Sequence, residues 1–173
     1  KSKVYFTDFC TNNAESLPQK LARLAMAAGM GEIEFEGKYV AIKIHFGEKG
    51  NMAYLRPGYA RAIVDLIKDM GGKPFLTDAN TLYVGSRKNA LDHLETAYQN
   101  GFMPYATGCH VIIADGLKGT DEVLVSVAGG EYVKEAKIGR AVMDADIVIS
   151  LNHFKGHEAT GFGGALKNLG MGC

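Results

Sequence analysis

Short β-branched runs, each followed by a stretch with helical spacing, limit the fold of this chain more than any other feature. Over 39–45, Val40, Ile42 and Ile44 alternate with Ala41, Lys43 and His45, the period of a strand. A glycine-bearing loop leads to Pro57, after which Ala60, Ile63, Val64, Ile67 and Met70 recur on one helical stripe that Gly71-Gly72 ends. The cycle repeats with a strand at Phe75–Thr77, a helix over 89–99 closed by Gly101, and a strand at Val111–Ala114. A short helix at 138–143 then precedes the strand 146–151. Each parallel connection needs a crossover of about a dozen residues, and these alternating helices supply it. The predicted class is three-layer α/β, a mainly parallel sheet with helices on both faces.

Other segments decorate that frame. Val4–Phe6 predicts a short first strand, and Ser16-Leu17-Pro18-Gln19 has capping-box spacing for a helix over 17–28. Two β-rich runs flank Ala128-Gly129-Gly130-Glu131, so a β-hairpin insertion is expected near 123–138. The stretch from Gly163 to Gly170 predicts the start of a helix. With 173 residues the chain suits a single domain, 1–173, that needs no disulfide or structural metal to build a core.

Bulk properties narrow the setting. Nineteen basic and nineteen acidic residues balance, so nothing in the charge points to nucleic acid or to an anionic membrane surface. The three cysteines, Cys10, Cys109 and Cys173, are far apart and include no Cys-x-x-Cys pair, which favours a reducing cytoplasm over a disulfide framework. No apolar run approaches the roughly 20 residues that span a bilayer, and no signal-peptide core is visible near residue 1. Glycine is the skewed component at 22 residues, well above an average near 7%.

The chemistry gathers where strands end. Lys43 and His45 close one strand, Asp78 and Asn80 follow the next, Asp115 a third, and Asn152 with His153 the last. In open parallel sheets the crevice at the carboxyl ends of the strands holds the ligand, so these segments are expected to converge on one cleft. The richest stretch, Asn152 to Asn168, packs two imidazoles, two ammoniums, a carboxylate and four glycines behind an apolar strand. Lys43, Lys155 and Lys167 bring positive charge, and Gly161, Gly163 and Gly164 open backbone N–H groups at a predicted helix N-terminus, which suits a small anion. No Walker-type or G-x-G-x-x-G motif singles out a nucleotide. His45, His153 and His157 are the imidazoles able to ligate a divalent metal, and for acid–base work they are the candidates whose ordinary pKa lies near neutrality. His93 and His110 are expected to be structural, and Ser86-Arg87-Lys88 a surface spot.

Several segments together resemble the domain-of-unknown-function family numbered 362 of bacteria and archaea. They are Val40-Ala41-Ile42-Lys43-Ile44-His45-Phe46-Gly47, the helix ending Gly71-Gly72 before Phe75–Asp78, and Asp144–Leu151 running into Phe154-Lys155-Gly156-His157 and Ala165-Leu166-Lys167-Asn168-Leu169-Gly170-Met171-Gly172. The resemblance implies that Lys43, His45, Asp78, Lys155, His157, Lys167 and Asn168 are the shared strand-end residues. It also implies that longer members carry ferredoxin-type iron–sulfur clusters beyond the Lys-Asn-Leu-Gly-Met-Gly segment, so that this chain is expected to be truncated at its C-terminus, the alternative being a short form of the family. Cys10, Cys109 and Cys173 match no ferredoxin-like spacing.

The expectation is therefore a redox-associated domain holding a small anionic or metal-bearing ligand. Lys43, Asp78, Asn80, Gly163, Gly164, Lys167 and Asn168 bind it, His45, His157 and Lys155 do the chemistry, and a ferredoxin-type module acts in cis or in trans. Two alternatives stand beside it. One is a metal-dependent hydrolase or isomerase with histidine ligands. The other is a non-enzymatic electron-transfer or partner-binding adaptor, for which a homo-oligomer is expected.

Overall fold

In the computed structural model, which describes residues 2–173, residues 2–11 form neither helix nor strand. The strand expected at Val4–Phe6 does not form: Val4 and Phe6 point to solvent and pair with no strand among the described residues. Helix α1 (Leu17–Ala27) begins at the expected box, with Ser16 N–H donating to Gln19 Oε1 at 2.8 Å and Gln19 N–H turned back to Ser16 Oγ at 3.5 Å. One 3-10 turn, Met30–Glu32, then leads to β1 (Tyr39–Lys43).

Helix α2 (Pro57–Asp69) buries Ala60, Ile63, Val64 and Ile67, the stripe its 3.6-residue spacing predicts, and carries the chain to β2 (Lys73–Asp78). Next come α3 (Ala90–Gln99), capped by the Asn89 side chain on Asp92 N–H, the single turn α4 (Pro104–Thr107), and β3 (Val111–Ile113). The inserted hairpin, β4 (Glu122–Ser126) with β5 (Glu135–Gly139), forms its own antiparallel sheet. After α5 (Arg140–Met143) and β6 (Ile147–Ser150), the stretch expected as loop folds into a second small hairpin, β7 (Lys155–His157) with β8 (Gly161–Gly163). Helix α6 (Ala165–Gly172) follows.

The main sheet has the order β3-β2-β1-β6, and all its pairings are parallel. From β1 the chain steps one way to β2 and β3, then returns across the whole sheet to place β6 on the far side of β1. Right-handed crossovers make that reversal put later helices on the opposite face. Accordingly Val40, Ile42, Ile44 and Leu76 pack with Ile63, Val64, Ile67 and Ala97 in the main core beneath α2 and α3. The face bearing Lys43, Thr77 and Ser150, which lie in register, receives α6. The strand order switches between β1 and β6, and in such sheets ligand crevices form at that point.

Candidate functional site

The carboxyl ends of β1, β2, β3 and β6 converge as the alternation of strands and helices requires. Lys43, on the α6 face of β1, extends to Asp78 at the end of β2, with Nζ 2.9 Å from Oδ1. The same ammonium donates to Asn168 Oδ1 at 2.7 Å, while the Asn168 amide donates back to the Lys43 carbonyl at 3.1 Å and to Ser150 Oγ at 3.3 Å. One side chain of α6 thus clips that helix to both strands at the switch point. Gly172 lies over the pair so closely that a Cβ there would come within 2.5 Å of Lys43 Nζ.

Asp78 has a second cation. Arg87 Nη1 lies 3.3 Å from its Oδ2, and the same guanidinium donates through Nε to Glu48 Oε1 at 2.9 Å. Lys43, Asp78 and Arg87 are 1%, 3% and 6% exposed, so this is a buried ion network and not a surface one. The basic spot expected on the surface is hence split: Arg87 points inward. Its partners lie 39 and 9 residues away, and the long loop between β2 and α3 returns it to the strand ends. His93, also completely buried, places Nδ1 3.4 Å from Asn80 Oδ1 and Nε2 3.7 Å from Asp78 Oδ2. Nε2 has no hydrogen-bond partner among the described residues.

Asn80 ties β2 to β3, its backbone and side-chain N–H groups donating to Asp115 Oδ1 at 3.0 and 2.9 Å. Burial alone would raise the Asp78 pKa, but Lys43 and His93 outweigh it and hold the carboxyl at about 2. His45 stands at the mouth of the network, its side chain 44% exposed and Nε2 3.9 Å from Glu48 Oε1. Desolvation and the Arg87 and Lys43 charges lower its pKa below the ordinary 6.5, against the pull of Asp78 and Glu48.

Both shifts give the same sign of pH dependence. With folded pKa values below the unfolded ones, the unfolded chain binds more protons as pH falls, and stability falls with it. His45 acts first, below 6.5, and Asp78 between 3.8 and about 2. The melting temperature is expected to drop from pH 7 to 5, and His45→Gln to flatten that slope; equal slopes in the two proteins would contradict the assignment.

The second part of the site lies on β7, β8 and α6. Lys155 and Lys167 flank Gly163, where a methyl group would touch Lys167 Cδ at 3.7 Å and Lys155 Cγ at 3.9 Å. Neither lysine has a carboxylate within 4 Å among the described residues. The first bond of α6 runs from Asn168 N–H to the Gly164 carbonyl at 2.9 Å, leaving the N–H groups of Ala165, Leu166 and Lys167 without an acceptor among the described residues. His157 is turned into its own hairpin, Nδ1 accepting from Ala159 and Thr160 N–H at 3.2 and 3.3 Å. His153 lines a different cavity, on the α1/α2 side of β6. His45, His153 and His157 therefore sit on separate segments, and no group of three or more His, Cys, Asp or Glu side chains among the described residues is arranged to hold a metal. The cysteines do not fit a four-thiolate cluster either: Cys10 is exposed in the N-terminal segment, Cys109 is buried with its thiol pushed up to about 11 by desolvation, and Cys173 ends α6.

Similarity to known proteins places the chain in a family. It belongs to the family described as domain of unknown function DUF362, whose model matches residues 40–173. It is also 27% identical, over 84% of its length, to a thylakoid-associated protein of Synechocystis sp.. The chain spans 42% of that relative's length. No solved structure matches significantly. No helix among the described residues is long and apolar enough to cross a membrane.

Proposed function

We propose that this domain binds a small anionic ligand, a phosphate or a carboxylate, at the N-terminus of α6 beside the strand-end ion network. The observation that carries this reading is the coincidence of three N–H groups, at Ala165, Leu166 and Lys167, with two lysines, Lys155 and Lys167, none of which has an acceptor or carboxylate partner among the described residues. Free N–H groups and the helix dipole favour negative charge there, and two ammoniums add a clamp. Lys43 and Asn168 position the cradle by fixing α6 to β1 and β6. His45, kept neutral and with Nδ1 taken by Gly47 N–H, presents an Nε2–H donor at the mouth of the cleft. A ferredoxin-type module, which family resemblance attaches to longer relatives, enters this reading as a partner acting in cis or in trans, because this chain's cysteines supply no cluster.

Calorimetric titration with inorganic phosphate and with citrate, at fixed ionic strength, tests the reading. Saturable binding is expected, weakened about tenfold or more in Lys155→Ala/Lys167→Ala. Because both substitutions lie near the surface, the stability of that variant should stay within about 0.5 kcal/mol of the parent. No saturable binding of either anion, or equal binding by the double variant, would overturn it.

A further inference from the structure

On the other face of the same switch point lies a cavity of about 380 Å³. Its walls come from α1, from the start of α2 and the loop before it, and from Leu151–His153 after β6. Ile147, Ile149 and Leu151 continue the face of β6 that meets the main core, so the cavity opens on the α1/α2 side and not on the side of Lys43 and α6. Leu17, Leu21, Tyr54, Leu55, Tyr59 and Leu151 make its lining largely apolar.

Two cations interrupt that lining. Lys20 is 8% exposed, and its ammonium is neutralised by Asp8 at 2.5 Å and donates to the Cys10 carbonyl at 2.7 Å, both on the N-terminal segment. Residues 7–9 line one side of the cavity as a strap held to α1 by the Lys20 side chain, while the rings of Phe6 and Phe9 remain largely in solvent. Arg56 has no such partner: its guanidinium lies 5.2 Å over the Tyr54 ring and meets no carboxylate within 4 Å among the described residues.

We propose that this cavity is a second binding site, for a compact organic molecule with an aromatic or alicyclic body and one carboxylate. The apolar walls take the body, Arg56 pairs with the carboxylate, and the strap closes over it. The volume falls within the range of small-ligand pockets, whose apolar walls with a few placed polar groups match this arrangement. Its place at the reversal of strand order is where open α/β sheets bind ligands. A guanidinium stacked on an aromatic ring keeps its edge free for a planar carboxylate. The site is separate from the α6 cradle, so each stands or fails by its own measurement.

The probes are 2-naphthoate and the uncharged 2-naphthalenemethanol, titrated into the protein and followed by amide ¹H–¹⁵N shifts. Naphthoate is expected to bind about tenfold or more tightly than the alcohol, with the shifts clustered at 7–9, 54–59 and 151–153. Arg56→Gln should erase that preference while leaving alcohol binding intact, and Leu17→Trp should block both probes by filling the space. Spectra of the unliganded variants show whether each is folded. Equal affinity for the two probes, shifts elsewhere on the surface, or no binding of either would overturn the proposal.

Discussion

Asp78→Ala is expected to lower the unfolding free energy by about 3–5 kcal/mol, a large share of the roughly 5–15 kcal/mol that holds a domain of this size folded. Asp78 is the one carboxylate between two cations that are nearly inaccessible to water, Lys43 and Arg87. Its removal leaves Lys43 with only the Asn168 amide oxygen and the strand ends with uncompensated positive charge. A buried ion network contributes little net stability compared with an apolar replacement, but breaking it from one side strands a charge. The double variant Lys43→Met/Asp78→Leu is accordingly expected to be more stable than Asp78→Ala alone. Chemical denaturation of the two variants checks both statements; a loss below about 1 kcal/mol in Asp78→Ala would show that water or a shifted side chain already neutralises the pair.

The second large effect is Phe46→Ala, expected to cost about 3–5 kcal/mol. Phe46 is fully buried just past β1, its ring edge-on to His93 at 5.7 Å and to Phe102 at 5.3 Å between centroids. It anchors the turn that carries His45. The Asn100 amide donates to the Phe46 carbonyl at 2.9 Å, Gly47 N–H donates to His45 Nδ1 at 2.9 Å, and Gly47 takes a positive φ of 84° where any Cβ would strike Tyr54. Losing the ring opens a cavity beneath this turn and frees His45, so the stability loss should come with a flatter pH dependence below neutrality. Thermal melts between pH 5 and 7 test the link. Destabilisation with the parental pH slope would separate the two roles.

The frame of this fold is legible because its elements are periodic. The alternation of Val40, Ile42 and Ile44 with Ala41 and Lys43 marks a strand, which the structure buries on both faces, and the Ala60–Ile67 stripe pairs its helical spacing with one buried face. The convergence of Lys43, Asp78 and Asn168 follows from parallel strands whose ends share a rim. What escapes is decided by contacts distant in sequence. Val4–Phe6 has strand composition, yet an apolar triplet gains nothing as a strand without an edge to pair with, and it stays exposed. The β7–β8 hairpin is hidden because Lys155-Gly156-His157 and Gly161-Phe162-Gly163 are too short and glycine-rich to show alternation. Arg87 sits between Ser86 and Lys88, polar company that suggests solvent, and only Glu48 and Asp78 turn it inward. Lys20 belongs to the polar complement of α1 by spacing, and it is Asp8 and the Cys10 carbonyl on the N-terminal segment that draw it into the cavity wall.

Amide ¹H–¹⁵N spectra recorded while inorganic phosphate is added at constant ionic strength test the central claim most directly. Anion binding at the α6 cradle predicts saturating shifts confined to Gly163, Gly164, Ala165, Leu166 and Lys167, with the Lys43 and Asn168 signals following through their mutual hydrogen bonds. Small, unsaturated shifts scattered over exposed lysines such as Lys49 and Lys137, with residues 163–167 unmoved, would contradict it.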